Sequence, residues 1–299
     1  MKIVKTIFPL VRLDERKTFD IANALNPQGI FIRFQDLISP VTLKPNGLFH
    51  KIVNAGGIHQ YLNYNGVVVL SLIMRDTLIW GTSPSEYATI INGINPDAYT
   101  TVDGATYGDR ESFSKKEIIR ITKETIQLIP LCPNILPIGH VKGCNSYQIK
   151  VHLEILKRIG IKTFLLHLGD FSRNGNHNEI SKGKAFAEII KREGGRLFIY
   201  GLGSKNRFLE FSFADCYVTY GHMVSARMGK IHKGDDPGKY KHKSIKDIAT
   251  ENLRGLYVKL EDLKKQTKLF GEGKYKWAAE IVTAEQKVMS ELRRVKTNH

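Results

Sequence analysis

Residues 135–168 read ILPIGHVKGCNSYQIKVHLEILKRIGIKTFLLHL, and this stretch decides the fold class. Two short apolar runs flank an amphipathic segment, Tyr147–Arg158, which stops before Gly160. Uniformly apolar runs suit parallel strands that are covered on both faces, and a helix between two of them makes a βα unit. The stretch therefore predicts a strand, a helix and a second, parallel strand.

The same alternation of apolar runs and amphipathic segments continues along the chain in both directions. Ser114 and Glu117 are predicted to form a capping box that begins a helix to about Leu128. Residues Ile180–Arg192 predict another helix, which stops at a pair of glycines. Eight candidate strands favour a (β/α)8 barrel of the TIM type, with a doubly wound sheet as the alternative. The candidates are Ile3–Phe8, Gly29–Arg33, Leu48–Val53, Ala98–Val102, Ile135–Val141, Thr163–Leu168, Leu197–Tyr200 and Ala214–Thr219.

Two more strand-like segments lie between the third and fourth candidates. Val67–Ile73 and Thr77–Trp80 are interpreted as a hairpin inserted beside the barrel. The predicted domains are a barrel over residues 1–226 and, over 227–299, a basic loop with C-terminal helices that complete the barrel.

The composition is that of a globular protein: 42% of the 299 residues are hydrophobic and 25% are charged, which excludes a wholly disordered chain. The three cysteines, Cys132, Cys144 and Cys216, are far apart, so we expect neither a disulfide framework nor a cysteine-rich zinc site. No targeting segment and no apolar run of about 20 residues is visible, so we expect a cytoplasmic protein without a membrane partner.

The net charge points to a polyanionic partner. Lysine and arginine number 45 against 29 acidic residues, which gives a formal charge of +16. Nucleic acid is the first candidate partner, and a lysine-rich proteome is the plain alternative. Residues 227–246 contain seven Lys and Arg against two Asp and are interpreted as a basic loop, followed by helices at about Ile245–Phe270 and Lys274–Arg294.

Active residues of a parallel barrel lie at the carboxyl ends of its strands. Asp103 follows the fourth candidate strand and Asp215 lies in the eighth, so we expect both carboxylates in one barrel mouth. Paired carboxylates suit chemistry at a glycosidic carbon. The plain alternative is that either aspartate caps a helix or binds a loop amide.

Eight short segments, taken in order, resemble motifs of the tRNA-guanine transglycosylase superfamily, whose barrel enzymes exchange guanine for a 7-deazaguanine. The segments are NAGGIHQ (54–60), SPSE (83–86), VDGAT (102–106), GHVKGC (139–144), GIKTF (160–164), HLG (167–169), FIYGLGS (198–204) and FADC (213–216), followed by ARMGK (226–230) in place of the family's A-R-N-G.

The resemblance implies a role for several residues. Asp215 takes the place of the nucleophile that attacks C1′ of the sugar, and Asp103 that of the aspartate that recognises N1 and the exocyclic amine of the purine. Lys142 stands where the family has a base-contacting glutamine. Asn54 replaces an aspartate that the family uses in proton handling, and it cannot accept a proton at neutral pH.

The complete set of implied substrate-binding residues is Asn54, Gly56, Lys142, Gly143, His167, Leu168, Gly169, Gly201 and Tyr217, although Tyr217 could equally pack in the barrel. Phosphate contacts are expected from His222, Arg227, Lys230, Lys233, Lys239, Lys241 and Lys243. The family's zinc motif is absent, so neither a metal site nor a cofactor is expected.

A short chain without the zinc module is most similar to the DpdA-type branch, which puts 7-deazaguanine bases into DNA, often in phages. The expected partners are therefore DNA and a preQ0-type 7-deazaguanine, with a possible homodimer, in the host cytoplasm if the gene is phage-encoded. Three alternatives stay open: the same exchange on tRNA, a non-catalytic nucleic-acid-binding subunit, and an unrelated phosphate-binding barrel that uses Gly201 and Gly203.

Overall fold

Eight parallel strands, hydrogen-bonded in chain order and closed by the pairing of the last with the first, form a barrel in the computed structural model. Residues 6–106, 108–172, 177–202, 208, 210–231 and 244–269 are described. The closed barrel confirms the predicted (β/α)8 class over the open sheet. The strands are β1 (Thr6–Val11), β2 (Gly29–Arg33), β3 (Val67–Ser71), β4 (Ala98–Thr100), β5 (Leu136–His140), β6 (Thr163–His167), β7 (Arg196–Tyr200) and β8 (Cys216–Thr219).

Aromatic rings fill the inside of the barrel. The rings of Phe8, Phe31 and Phe198 meet there with centroids 6.1–6.2 Å apart. Gly29 makes room for them, because a Cβ at this position would lie 2.4 Å from the ring of Phe8. The interior is thus a packed core below the carboxyl ends of the strands, as in other barrels of this type.

Helices cover the outside of the barrel, and several begin at residues whose side chains cap the first turn. Asn145 caps its helix by accepting a hydrogen bond from the N–H of Gln148. The helices are α1 (Arg16–Asn23), α2 (Gly47–Asn54), α3 (Ile58–Leu62), α4 (Asp76–Ile79), α5 (Pro84–Ile94), α6 (Glu111–Leu128), α7 (Ser146–Arg158), α8 (Gly169–Ser172), α9 (His177–Gly194), α10 (Gly221–Arg227) and α11 (Ile245–Leu269).

The third barrel strand is not the one that the sequence predicted. Leu48–Val53 lies in α2, whose first N–H groups are capped by the side chain of Asn46. The supposed hairpin is instead β3 followed by the short helix α4. A short apolar run fits a strand or a helix equally well, and here the capping asparagine favours the helix.

The capping box was also predicted at the wrong place. Helix α6 begins at Glu111, and Ser114 is buried inside it with its N–H bonded to the carbonyl of Arg110. A capping box with this Ser-x-x-Glu spacing lies instead at the start of α5, where Ser83 and Glu86 bind each other's backbone N–H. The other predicted helices, Tyr147–Arg158 and Ile180–Arg192, correspond to α7 and α9.

The chain divides into two compact units, residues 1–257 and 258–299. The first contains the barrel. Of the second, the described part is the last section of α11, and the predicted helix Lys274–Arg294 lies outside the described residues. In the described part of the chain, no helix combines the length and the apolar character needed to cross a membrane.

Candidate active site at the carboxyl end of the barrel

A cavity of about 740 Å³ opens at the carboxyl ends of the barrel strands. The loops after β3, β4 and β5 supply much of its wall. Its volume is in the range of small-molecule sites, and its position is that of active sites in (β/α)8 enzymes. The last residues of four strands also line it: Arg33 of β2, His140 of β5, His167 of β6 and Tyr200 of β7.

Asp103, which follows β4, is a carboxylate of this wall and is only 5% exposed. Its Oδ2 accepts a hydrogen bond from the N–H of Met74 at 3.2 Å, and its Oδ1 accepts one from the N–H of Gly104 at 2.8 Å. Nζ of Lys142 lies 3.2 Å from Oδ1, and Nδ1 of His140 lies 3.4 Å from it. Backbone donors and an ammonium group offset the cost of burying this carboxylate, so its oxygens are fixed acceptors facing the cavity.

A network behind the wall holds the backbone of Asp103. Nη2 of Arg120, on α6, donates to the carbonyl oxygen of Asp103 at 3.2 Å. Arg120 also donates to the carboxylates of Glu117 and Glu124, one turn away on each side. Nε1 of Trp80 donates to Glu117 at 3.2 Å. The loop that carries Asp103 is therefore tied to α6, which is itself bonded to Trp80.

The loop after β5 brings Lys142 to the cavity because it is bound to α7. The N–H of Lys142 donates to Nδ1 of His152 at 3.0 Å, and that of Cys144 donates to the side chain of Gln148 at 3.1 Å. Burial lowers the pKa of His152 to about 4, which keeps its Nδ1 free to accept this bond. Between them, Gly143 is so close to α7 that a Cβ would lie 2.8 Å from a backbone nitrogen.

An array of three rings also lines the cavity. His140 and His167 meet edge to face with centroids 6.4 Å apart, and His167 meets Tyr200 at 5.0 Å. Burial, together with the nearby charge of Lys142, holds the pKa of His140 well below its ordinary 6.5. Burial raises the pKa of Tyr200, so its phenol stays protonated. The cavity thus offers an aromatic surface next to a carboxylate and an ammonium group.

Basic side chains line the cavity together with the acidic side chains of Asp76, Asp103, Asp109 and Glu179. Arg33 lines the cavity and donates through Nε to the buried carboxylate of Asp36 at 3.2 Å. Burial raises the pKa of Asp36, and its Oδ2 also accepts from the N–H of Leu13 at 3.0 Å. Arg75 and Lys182 are further basic residues of the lining.

Asp215 does not lie in this mouth, which corrects the expectation of two carboxylates at one site. Strand β8 begins at Cys216, so Asp215 precedes it and lies at the amino end of the barrel. Its carboxylate pairs with Nζ of Lys191, at 2.9 and 2.7 Å, and accepts from the N–H of Leu197 at 2.8 Å. These contacts join α9 and β7 to the start of β8, a structural role at the end opposite Asp103.

Asn54 and Gly56 are also far from the cavity. Both are exposed: Asn54 ends α2 and Gly56 lies in the turn to α3, a segment that precedes β3 and therefore belongs to the amino end of the barrel. The cause is the misplaced third strand. Because the segment before Asn54 is a helix, Asn54 does not lie at the carboxyl end of a strand and is not at the barrel mouth.

The other predicted substrate-binding residues lie at or near the cavity. Leu168 is buried, with its N–H bonded to the carbonyl of Tyr200 at 2.8 Å. Gly201 has a φ of +95° and lies against Gly169, whose nitrogen would be 3.2 Å from an added Cβ. Of the predicted substrate-binding residues, three line the cavity: Lys142, Gly143 and His167.

Tyr217 is a packing residue of the barrel wall. It is fully buried in β8, and its ring meets that of Phe208 at a centroid distance of 4.7 Å. Its hydroxyl donates to the carbonyl of Phe211 at 2.9 Å. The alternative of barrel packing is therefore the correct one for this residue.

The residues expected to contact phosphates are only partly described. His222 is fully buried in α10. Arg227 pairs with Glu15 and stacks on Tyr220, with its guanidinium carbon 5.6 Å from the ring centroid. Lys230 is exposed. Lys233, Lys239, Lys241 and Lys243 lie outside the described residues.

Sequence reasoning missed several cavity residues, among them the strand ends Arg33, His140 and Tyr200. Each ends a strand that was predicted at nearly its true bounds, so the rule that site residues end strands could have found them. The segment 73–76 was missed because its strand was interpreted as a hairpin. Among the described residues, no three His, Cys, Asp or Glu side chains are grouped to hold a metal ion.

The chain matches no model of a known protein family and no curated protein. The resemblance to guanine transglycosylases therefore consists of short motifs on a shared class of barrel. The motifs around Asp103, Lys142 and His167 lie at the cavity, whereas those around Asn54 and Asp215 lie at the amino end.

Proposed function

We propose that the cavity binds a guanine-type base and that the protein exchanges guanine in DNA for a 7-deazaguanine. The observation that carries the proposal is the carboxylate of Asp103, which is buried in the cavity wall and fixed by two backbone donors beside Lys142. N1–H and the exocyclic amine of guanine are adjacent donors, and the two oxygens of a carboxylate accept both. A base without them leaves this carboxylate poorly paired, at a cost of about 1–3 kcal/mol.

The exchange needs no redox or energy-supplying cofactor. The C1′–N9 bond to guanine breaks, a C1′–N9 bond to the 7-deazaguanine forms, and the N9 proton lost by the incoming base is balanced by the proton gained by the departing guanine. Two displacements through a covalent intermediate would retain the configuration at C1′. The nucleophile of such a path is to be sought among the carboxylates that line the cavity besides Asp103, namely Asp76, Asp109 and Glu179.

The charge supports DNA as the polymer. The net charge of +16 and the basic lining residues Arg33, Arg75 and Lys182 favour a phosphate backbone at the cavity entrance. A base in a duplex must leave the stack to enter a barrel mouth, and the ring of Tyr200 gives it an aromatic surface to contact.

The test is a base-exchange assay on guanine-containing DNA and, separately, on tRNA, each with preQ0. We expect labelled guanine to be released from DNA, and release to be lost in Asp103→Asn. Mass spectrometry of any trapped protein–DNA adduct identifies the residue that carries the sugar. Exchange on tRNA alone would move the proposal to the other polymer.

One observation favours a second candidate, a non-catalytic nucleic-acid-binding subunit: the aspartate that resembles the nucleophile is at the amino end of the barrel and paired with Lys191. Binding of DNA without exchange or adduct, by a correctly folded protein, would favour this candidate over the enzyme.

A further inference from the structure

His140 is a buried polar side chain in the cavity wall that none of the preceding roles explains. It is fully buried and lines the cavity as the last residue of β5. Neither of its ring nitrogens has a hydrogen-bond partner among the described residues. Its nearest carboxylate oxygen, Oδ1 of Asp103, is 3.4 Å from Nδ1, which is long for a hydrogen bond.

A buried histidine without hydrogen bonds lowers the stability of the protein when no ligand is bound. An unpaired buried donor or acceptor costs about 1–3 kcal/mol, and native structures contain few of them outside functional sites. The hydrophobic cluster inside the barrel avoids this cost with apolar side chains, such as Phe8, Phe31 and Phe198. A histidine at this position is therefore best explained by a ligand that completes its hydrogen bonding.

The neighbours of His140 define which kind of group it can bind. Because Nδ1 faces the carboxylate of Asp103, the ring hydrogen belongs on Nδ1 and the lone pair on Nε2. Burial and the charge of Lys142 hold its pKa well below 6.5, so the ring is neutral and Nε2 is an acceptor at pH 7. Nε2 therefore needs a donor.

We infer that His140 is a substrate-binding residue whose Nε2 accepts a hydrogen bond from an N–H group of the bound base. The inference rests on the proposed function and specifies its base. A guanine-type edge has three N–H hydrogens, one on N1 and two on the exocyclic amine. The two oxygens of Asp103 accept two of them, and His140 accepts the third. The pair selects bases that carry the 2-amino group over those that lack it.

The experiment measures this selection directly. Wild-type protein labelled with 15N-histidine is titrated with guanine and with hypoxanthine, which lacks the 2-amino group, and dissociation constants are measured in parallel for His140→Leu and His140→Gln. His152 is the internal control, because it is another buried histidine whose Nδ1 already accepts a bond from Lys142. The His140→Gln spectrum assigns the resonance of His140.

We expect guanine to move the unprotonated 15N resonance of His140 and to leave that of His152 unchanged. His140→Leu should bind guanine about tenfold more weakly, which corresponds to the loss of one hydrogen bond. Its affinity for hypoxanthine should change little. His140→Gln should recover part of the affinity for guanine. The spectrum of wild-type protein keeps the inference testable even if His140→Leu does not fold.

Two results separate the inference from the function on which it rests. If guanine binds in a manner that depends on Asp103 while the His140 resonance and the preference over hypoxanthine are unaffected, the inference is wrong and the proposed function stands. If no purine base binds wild-type protein, the proposed function is wrong and the inference falls with it.

Discussion

The two ends of the barrel use aspartate in the same way and differ in what surrounds it. At the amino end, the N–H of Asp97 donates to the carbonyl of Val68, and the N–H of Asp215 donates to the carbonyl of Leu197. The side-chain carboxylate of each aspartate accepts a hydrogen bond from the N–H of that same residue of the preceding strand. Each then pairs with a basic side chain, His59 or Lys191. Both aspartates therefore join neighbouring strands.

The carboxyl end repeats the backbone contact and adds an opening. Asp36 and Asp103 also accept an N–H from the neighbouring strand's loop, that of Leu13 or Met74. Only beside Asp103 does the described structure combine a cavity, a lysine and a buried histidine without hydrogen bonds. An aspartate near a strand end is thus common to structural and functional sites, and its other neighbours distinguish them.

The largest expected effect is the difference in exchange activity when an aspartate is replaced by asparagine at one end of the barrel or at the other. Asp103→Asn removes the charge that faces the base and the ion pair with Lys142, so we expect kcat/KM for base exchange to fall by about 10³-fold, or ~4 kcal/mol. Asp215→Asn is the matched control at the amino end, and its exchange rate per folded molecule should equal that of wild type. Equal losses in the two variants would contradict the assignment of the site to one end.

A pH titration of stability tests the buried histidines of the carboxyl end. His152 has a pKa lowered to about 4 in the folded protein against 6.5 when exposed, so the unfolded chain binds its proton first. The free energy of unfolding should therefore fall as the pH drops from 6.5 to 4, by about 3 kcal/mol from this group. The buried ring of His140 acts in the same direction.

The measurement is urea unfolding at several pH values in wild type and in His152→Leu. The variant lacks the titrating group, so its curve should be flatter between pH 6.5 and 4. Parallel curves for the two proteins would show that His152 does not carry the effect.

The amino-end aspartates should act on stability alone. Asp215→Asn and Asp97→Asn each weaken a backbone contact between strands and an ion pair that is partly exposed, so we expect each to lower the free energy of unfolding by about 1–2 kcal/mol. Chemical denaturation measures this, and similar losses in both variants would support their common role. A loss of exchange activity without a loss of stability in Asp215→Asn would restore Asp215 to the site.

The sequence predicted the barrel because its strands are uniformly apolar and its helices amphipathic. It also predicted Asp103, Lys142 and His167 at the mouth, because each directly ends or follows a strand whose bounds were nearly right. Position along a strand was enough to locate these residues, since the carboxyl ends of parallel strands meet at one end of the barrel.

The errors concern residues whose position within a strand or helix determines whether they lie at the amino or the carboxyl end of the barrel. Asp215 is the second residue of the predicted strand Ala214–Thr219 and directly precedes the observed one, so both sets of bounds put it at the amino end, where it contacts Leu197. Its assignment to the mouth followed the resemblance and not its position in the strand. Asn54 was assigned to the mouth through a helix taken for a strand. The state of His140 depends on Asp103 and Lys142, which only the closed barrel brings near it.

The smallest expected effect concerns the contact with DNA. Arg75 lines the cavity entrance, whereas Arg158 ends α7 at the amino end and pairs with Glu154 on its own helix. If the carboxyl end faces the phosphate backbone, Arg75→Gln should weaken DNA binding a few-fold and reduce the slope of log K against log salt by about one, while Arg158→Gln should change neither. Fluorescence anisotropy at several salt concentrations measures both quantities. Equal effects of the two substitutions would mean that DNA is attracted by the net charge of the protein and not held at the cavity.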